Sequence, residues 1–467
     1  MNVRDRNALF AKGDIDRDDL WTKIREYESK AFQFRFWFGL SELPKEPGLI
    51  FVRGPRQFGK STWLELELLG TLEEYGAGSA FYLNGDEIED YRELVQRLEE
   101  VDGYFPSRKS RQSGVKRLFI DEVTAVSEWE RAFKIVLDRG LLRDVLIVTT
   151  GSRAADIRRG AERLPGRKGK LGRTDYVFLP IPFKNFIASI GRSAVSEVGM
   201  ERLVVAYLLS GGSPVALNDL IQFEVLPEYF VTLTRDWILG EFAASGRHRA
   251  SLLAVLSAVF RFGGTPVGFA KLARETGMAN NTVAAGYIDL LSDLFTVLPS
   301  WQWDQGRDIF LFRKPCKFHF VNLAAAIAFF PSTFRHIEDF LKLDSREKAK
   351  FLEWLVAAEL FRRNCLRSPF RSEELGFIAT DHHEIDFVDS SRSFYEVKSG
   401  STSPIEFSWF NKSFPGKTLH VVSESEFSAG KVKSTTFAKW LYDCELDPWP
   451  YAGMEEWDPF RPDENGA

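Results

Sequence analysis

Along the first part of the chain, short apolar runs alternate with stretches that are apolar at helical spacing. Gly48-Leu49-Ile50-Phe51-Val52 is an apolar run that reads as a buried strand, and Ser61 to Leu69 reads as a helix. The alternation returns three times. Ala80-Phe81-Tyr82-Leu83-Asn84 precedes a helix reaching about Val101. Arg117-Leu118-Phe119-Ile120 precedes one holding Trp129, Phe133, Ile135 and Val136. Leu142 to Val148 is another buried strand. A further short strand is expected at Val177-Phe178-Leu179-Pro180. Such alternation predicts a doubly wound parallel sheet, an α/β fold. Ahead of it, Phe32-Gln33-Phe34-Arg35-Phe36-Trp37-Phe38 begins with period two, which predicts a strand or a packing arm, with an adenine-stacking surface as the alternative.

From residue 184 to about 245 the pattern is helical, broken at Gly211-Gly212-Ser213-Pro214, and suits a small helical lid. Leu252–Phe260, Val267–Thr276 and Asn281–Leu291 follow as three short helices, the last with Asn280 as its cap. Phe295-Thr296-Val297-Leu298 and Ile309-Phe310-Leu311-Phe312 then bracket a polar turn, and three helices with a hairpin predict a winged helix. Its third helix offers Asn280, Asn281 and Thr282 but no lysine or arginine. Packing against protein therefore suits it better than reading a DNA groove. The chain closes with an amphipathic helix, Phe351 to Arg363, and three strands: Phe377–Thr380, Glu384–Val388 and Phe394–Lys398. The expected domains are an N-terminal extension (1–30), a P-loop core (31–183), a lid (184–245), a winged helix (246–330), a C-terminal α/β domain (345–445) and a tail (446–467).

Composition narrows the partners. At 467 residues and 44% apolar the chain is long enough for several cores, and its net charge of −5 shows no global basic character, so any nucleic-acid surface is local. Cys316, Cys365 and Cys444 make no metal pattern and suit a reducing cytosol; the charged start (Arg4, Asp5, Arg6) is no signal peptide, and no run is long enough for a membrane span. The expectation is a cytoplasmic protein without membrane contact.

Two stretches carry chemistry. Gly54-Pro55-Arg56-Gln57-Phe58-Gly59-Lys60-Ser61 fits the Walker A pattern and lies between the first strand and its helix. Its backbone N–H groups would cradle phosphate at a helix N-terminus, Lys60 would face the β- and γ-phosphates, and Ser61 would ligate Mg²⁺. The strand Arg117–Ile120 ends in Asp121 and Glu122, which suits a Walker B element: Asp121 for the metal, Glu122 for the attacking water. A polar residue among Thr149-Thr150-Gly151-Ser152 would touch the γ-phosphate or that water. An arginine beside the γ-phosphate would add transition-state charge, and Arg163, Arg167 and Arg173, in a basic run from Arg153 to Arg173 with Arg158 and Arg159, are candidates. Farther on, Glu396 and Lys398 share a strand face and Asp386 lies on the neighbouring strand. These residues read either as an edge hairpin with ion pairs or as a Mg²⁺ site beside a phosphodiester.

Together these stretches resemble a large prokaryotic family of AAA-type ATPases that couple a P-loop domain and winged helix to a C-terminal domain with a restriction-endonuclease-like core. The resemblance is carried by Gly54 to Thr62, Leu118 to Glu122, Thr150-Gly151-Ser152, Leu179-Pro180-Ile181-Pro182-Phe183, Gly211-Gly212-Ser213-Pro214, Lys314 to Phe320, Glu353 to Leu360, Glu384-Ile385-Asp386-Phe387 and Glu396-Val397-Lys398. It implies ATP and Mg²⁺ as cofactors, held by residues 54–62, Asp121 and Ser152, with Glu122 catalytic. It also implies a nuclease-like site of Glu353, Asp386, Glu396 and Lys398, with Asp386 and Glu396 as metal ligands. DNA, a protein partner or further copies of the chain are the implied partners. The runner-up is an ATP-controlled binding module whose C-terminal fold is catalytically inert. A small-molecule kinase fits less well, because the chain offers no acceptor-pocket motif.

Overall fold

The computed structural model describes residues 2–105, 114–152, 163–331, 335–367, 374–380, 382–443 and 458–460, in two compact units, 1–179 and 180–467. Arg153, Arg158, Arg159 and Cys444 lie outside the described residues.

In the first unit the apolar runs become strands β1 (Gly48–Arg53), β2 (Ala80–Asn84), β3 (Arg117–Asp121), β4 (Leu146–Gly151) and β5 (Asp175–Val177). They form one parallel sheet in the order β2-β3-β4-β1-β5. Being covered on both faces, the strands are apolar almost throughout, as parallel strands between helices require. The fourth strand starts at Leu146, not at Leu142, which takes a left-handed turn conformation (φ 53°). Order matters for the site, because β4 lies between the strand that feeds the loop and the strand that ends in Asp121.

Residues 1–30, expected as an extension, contribute helix Val3–Lys12, which caps the sheet edge. Asn7 accepts from the Tyr82 amide and donates to the Tyr82 carbonyl (2.9 and 2.8 Å), consuming exposed hydrogen-bonding groups of edge strand β2. The Phe32–Phe38 stretch forms no strand and is a packing arm: Phe34, Trp37 and Phe38 are buried, with Phe38 edge-on to Trp63 at 5.0 Å.

The second unit opens with helices Phe183–Val198, Met200–Ser210, Pro214–Phe223 and Glu228–Ala244, where the lid was expected. Gly212 is needed at its break. Its φ is 73°, and a Cβ there would sit 2.6 Å from the Pro180 ring, while its carbonyl accepts from the Ile181 amide. Helices Arg249–Phe262, Phe269–Glu275 and Asn281–Asp293 follow, the last capped by Asn280 onto the Val283 amide (3.0 Å). The expected hairpin is β6 (Val297–Asp304) with β7 (Ile309–Phe310), but β6 is longer than its apolar start suggests. It also pairs antiparallel with β8 (Cys316–Phe320) and parallel with β9 (Gly376–Ala379). Beyond β9 come β10 (Glu384–Val388), β11 (Phe394–Val397), β12 (Leu419–Ser423), β13 (Phe427–Ala429) and β14 (Val432–Thr436). One nine-stranded sheet thus runs through the stretches expected as separate domains, 246–330 and 345–445. The helix Ser345–Arg367 packs against it, and its buried Glu359 is held by Arg362 and Arg363 at 2.8 Å. Among the described residues no helix is long and apolar enough to cross a membrane.

Candidate functional site

Strand β1 delivers the chain to Gly54, and the loop turns into helix Lys60–Tyr75 through Gly59 (φ 97°), where a Cβ would lie 2.4 Å from the Phe36 ring. The aromatic arm therefore backs directly onto the loop, and only glycine fits between them. Lys60 is buried, and its Nζ donates to the Gly54 and Pro55 carbonyls at 2.9 and 2.7 Å, folded back over the loop's own backbone. Burial pulls its pKa below the usual lysine value, with Arg56 adding to this and Glu122 and Asp121 opposing it.

The end of β3 stands across from the loop. Asp121 is buried and accepts a hydrogen bond from the Thr150 hydroxyl; burial raises its pKa, and the Thr150 and Ser61 hydroxyls work against the rise. Glu122 sits in the left-handed region (φ 45°), with its amide directed at Asp121 Oδ1 and Thr150 Oγ1, both at 3.1 Å. That turn sends its carboxylate toward β4, where Oε2 accepts from the Ser152 amide and hydroxyl at 3.0 and 3.1 Å. Arg56 Nε reaches the same hydroxyl at 3.3 Å. The structure thus brings Arg56, Lys60, Ser61, Asp121, Glu122 and Ser152 to one end of the sheet. Thr150, which ties both acidic residues to β4, was not singled out in the sequence, where Ser152 alone of that strand's end was. A hydroxyl beside a buried carboxylate, next to a phosphate cradle, gives hard oxygen ligands of the kind Mg²⁺ takes. These residues fit the ion, with Ser61 and Asp121 to hold it.

The three arginine candidates are engaged elsewhere. Arg163 pairs with Glu130 (2.6 Å), and Arg167 grips Asp138 with two nitrogens (2.8 and 3.1 Å). Arg173 bonds the Asp175 carbonyl and lies over Tyr176. Because Asp175 pairs with Phe51 in a parallel ladder, Arg173 enters β5 at the end of the sheet away from the loop.

A second set of titratable groups gathers on the sheet of the second unit. The β10–β11 hairpin runs in the register Phe387↔Tyr395, which brings Asp386 opposite Glu396. Asp386 Oδ2 accepts from the Val397 amide (2.9 Å), Glu396 Oε2 accepts from the Asp386 amide (3.3 Å), and Glu396 Oε1 accepts from Lys398 Nζ (2.7 Å). Glu353, from the long helix, joins them. The expected four do converge, but with a residue the sequence reading passed over. Lys317, on β8, is 1% exposed; its Nζ donates to Asp386 Oδ1 at 3.1 Å, pairs with Glu384, and stands 3.8 Å from Glu353. His319 lies 3.7 Å from Glu353, and burial together with Lys317 holds it neutral, its pKa well below the usual histidine value. Of the two sequence readings, one gave these carboxylates a Mg²⁺ ion and the other ion pairs. The structure shows ion pairs: Lys317 offsets part of the charge, and both oxygens of Asp386 and of Glu396 are already used by protein donors. The residues do not fit a metal centre, and among the described residues no three or more Asp, Glu, His or Cys side chains are arranged to hold one. The signal for Lys317 was in Lys314 to Phe320, but nothing in a strand lysine's own neighbours announces partners nearly seventy residues away.

One comparison falls on the first of these sites. A family model described as an AAA domain matches residues 46–187. No curated protein matches the sequence. Among solved structures, the chain is similar to a Walker-type ATPase of Pyrococcus abyssi at 12% identity, covering 67% of this chain and 95% of that one, with a TM-score of 0.41. It is similar to the ORC1 protein of Aeropyrum pernix in complex with DNA at 16% identity, covering 61% and 86%, with a TM-score of 0.31. A RuvB variant of Thermotoga maritima gives 15%, 54% and 82%, with a TM-score of 0.29. The matched residues, 46–187, contain the loop, the acidic strand end and the five strands already described, and are similar to an AAA domain.

Proposed function

We propose that the chain binds ATP with Mg²⁺ and hydrolyses it at the P-loop, and that this turnover controls what the second unit binds. The observation that carries the reading is the set at the sheet end: Lys60 over the loop, Ser61 beside Asp121, and Glu122 on Ser152. Bound Mg²⁺ would neutralise phosphate charge. Lys60 leaves the loop carbonyls to take the phosphate oxygens. Glu122 leaves Ser152 to orient the attacking water and accept its proton, and Ser152 and Arg56 are then free to turn to the γ-phosphate. For the second unit, the nuclease-like reading keeps Glu353, Asp386, Glu396 and Lys398 as a site that binds or cleaves nucleic acid. The other reading makes the fold inert and gives it a protein or DNA partner to recognise, in which the helices at 249–293 serve as a winged helix. The position of Lys317 among the carboxylates favours the inert reading. Purified protein with ATP, Mg²⁺ and a panel of DNA and RNA tests both: ATP turnover without strand cleavage is expected. Turnover unchanged in Lys60→Ala would overturn the ATPase assignment. Divalent-dependent cleavage lost in Asp386→Ala would overturn the inert one.

A further inference from the structure

The second unit brings Glu353, Glu384, Asp386 and Glu396 together from one helix and two strands, an arrangement that calls for positive charge. We propose that Lys317 is the resident cation of this cluster, fixed where a divalent ion would otherwise sit, so that the cluster takes up no metal. This deepens the inert reading of the second unit. Three observations support it. First, Lys317 is part of the sheet and not a surface side chain that can swing away. It lies on β8 opposite Ser300, its backbone and side chain are buried, and its stem runs beside the Phe377 ring, with Nζ 5.6 Å from the ring centre. Second, its ammonium meets three carboxylates at once and already takes Asp386 Oδ1 at 3.1 Å, so its charge stands where a metal on these carboxylates would be. Two cations cannot share that space at low dielectric. Third, the remaining oxygens of the hairpin pair are spoken for: the Val397 amide holds Asp386, and the Asp386 amide and Lys398 hold Glu396. A metal would have to break these bonds as well as displace the lysine.

The test is Mn²⁺ binding to the full-length, nucleotide-free chain, followed by electron paramagnetic resonance of the free ion. The Asp386→Asn variant serves as the reference that subtracts any binding at the P-loop. The wild-type chain is expected to take up no more Mn²⁺ than Asp386→Asn. Lys317→Ala is expected to gain about one ion per chain, a gain lost again in Lys317→Ala combined with Asp386→Asn. Saturable uptake by the wild type that Asp386→Asn removes would overturn the proposal. So would a folded Lys317→Ala that gains nothing. If Lys317→Ala does not fold, the wild-type comparison decides alone. ATP turnover is read in the same samples, so loss of the ATPase assignment is seen separately from failure of this one.

Discussion

Glu353 gives the sharpest quantitative expectation. Four carboxylates, Glu353, Glu384, Asp386 and Glu396, share a cluster with two lysines, Lys317 and Lys398, so the lysines leave two negative charges over. Protons answer for these. Burial first, then the charge of Asp386, pushes the Glu353 carboxyl up to about 8 and Glu396 up to about 7. The sign follows from linkage. The native state keeps a proton on Glu353 that the unfolded chain gives up above its ordinary value near 4.5. The contribution is therefore full below that value and is lost as pH rises through about 8. His319, depressed below 6.5, works in the opposite direction, but only at pH below that value. Between 6.5 and about 8 the Glu353 slope stands against no histidine contribution, and at ~1.4 kcal/mol per pH unit it amounts to roughly 2 kcal/mol. Urea unfolding of the second unit, followed by hydrogen exchange in the helix Ser345–Arg367, should show stability falling by that amount across the window. Glu353→Gln, which keeps the shape and cannot ionise, should flatten most of the fall. A wild-type profile that is level or rising there, or an undiminished slope in Glu353→Gln, would refute the reasoning.

Lys60→Ala should abolish ATP hydrolysis and weaken binding of a fluorescent ATP analogue, since the variant loses the charge that faces the phosphates. Glu122→Gln should bind the analogue as tightly as wild type while turnover drops by about two to four orders of magnitude, the usual range for a lost general base; near-normal turnover would move that role to another residue. Glu359→Leu should cost about 3–5 kcal/mol in urea unfolding, because it removes the carboxylate that the buried Arg362 and Arg363 share; a loss under about 1 kcal/mol would mean that other groups or water take its place. If an arginine acts between copies of the chain, ATP turnover per molecule should rise with protein concentration and one of Arg163→Ala, Arg167→Ala and Arg173→Ala should cancel the rise. A rate independent of concentration would instead favour an arginine acting within the chain or an already saturated oligomer.

The P-loop unit was legible because its signals are local. An apolar run, a glycine loop and a helix are adjacent in sequence, and each strand announces itself by its own residues. Asp121 and Glu122 could be placed because parallel strands put their C-terminal ends on one side. Less visible was the detail that depends on neighbours in space, such as the Thr150 hydroxyl that ties Asp121 to β4, or the Phe36 ring that makes Gly59 obligatory. Period two in Phe32–Phe38 pointed to a strand as readily as to an arm, since alternation alone does not say whether a backbone partner exists. The carboxylate cluster shows the limit most clearly. The hairpin of Asp386 and Glu396 could be read from its turn, Asp389 to Arg392, and the expectation that a cation must attend it was physically sound. Which cation could not be read, because β8 reaches the cluster only through the tertiary pairing of β6.

That pairing also governs how the protein can be cut. Along its eight residues β6 serves β8 at one end, β9 near the middle and β7 at the other. An expression fragment starting near residue 345, the natural choice if the last third were an independent domain, would leave the β9 edge bare and its backbone groups open to intermolecular pairing. It would also discard Lys317 and leave its carboxylate partners in the fragment without it. Such a fragment should precipitate or take up stray cations, and a metal-dependent activity measured on it would belong to the truncation. The smallest faithful piece of this half starts at Pro180, where the compact unit begins, and keeps both the strand and the lysine.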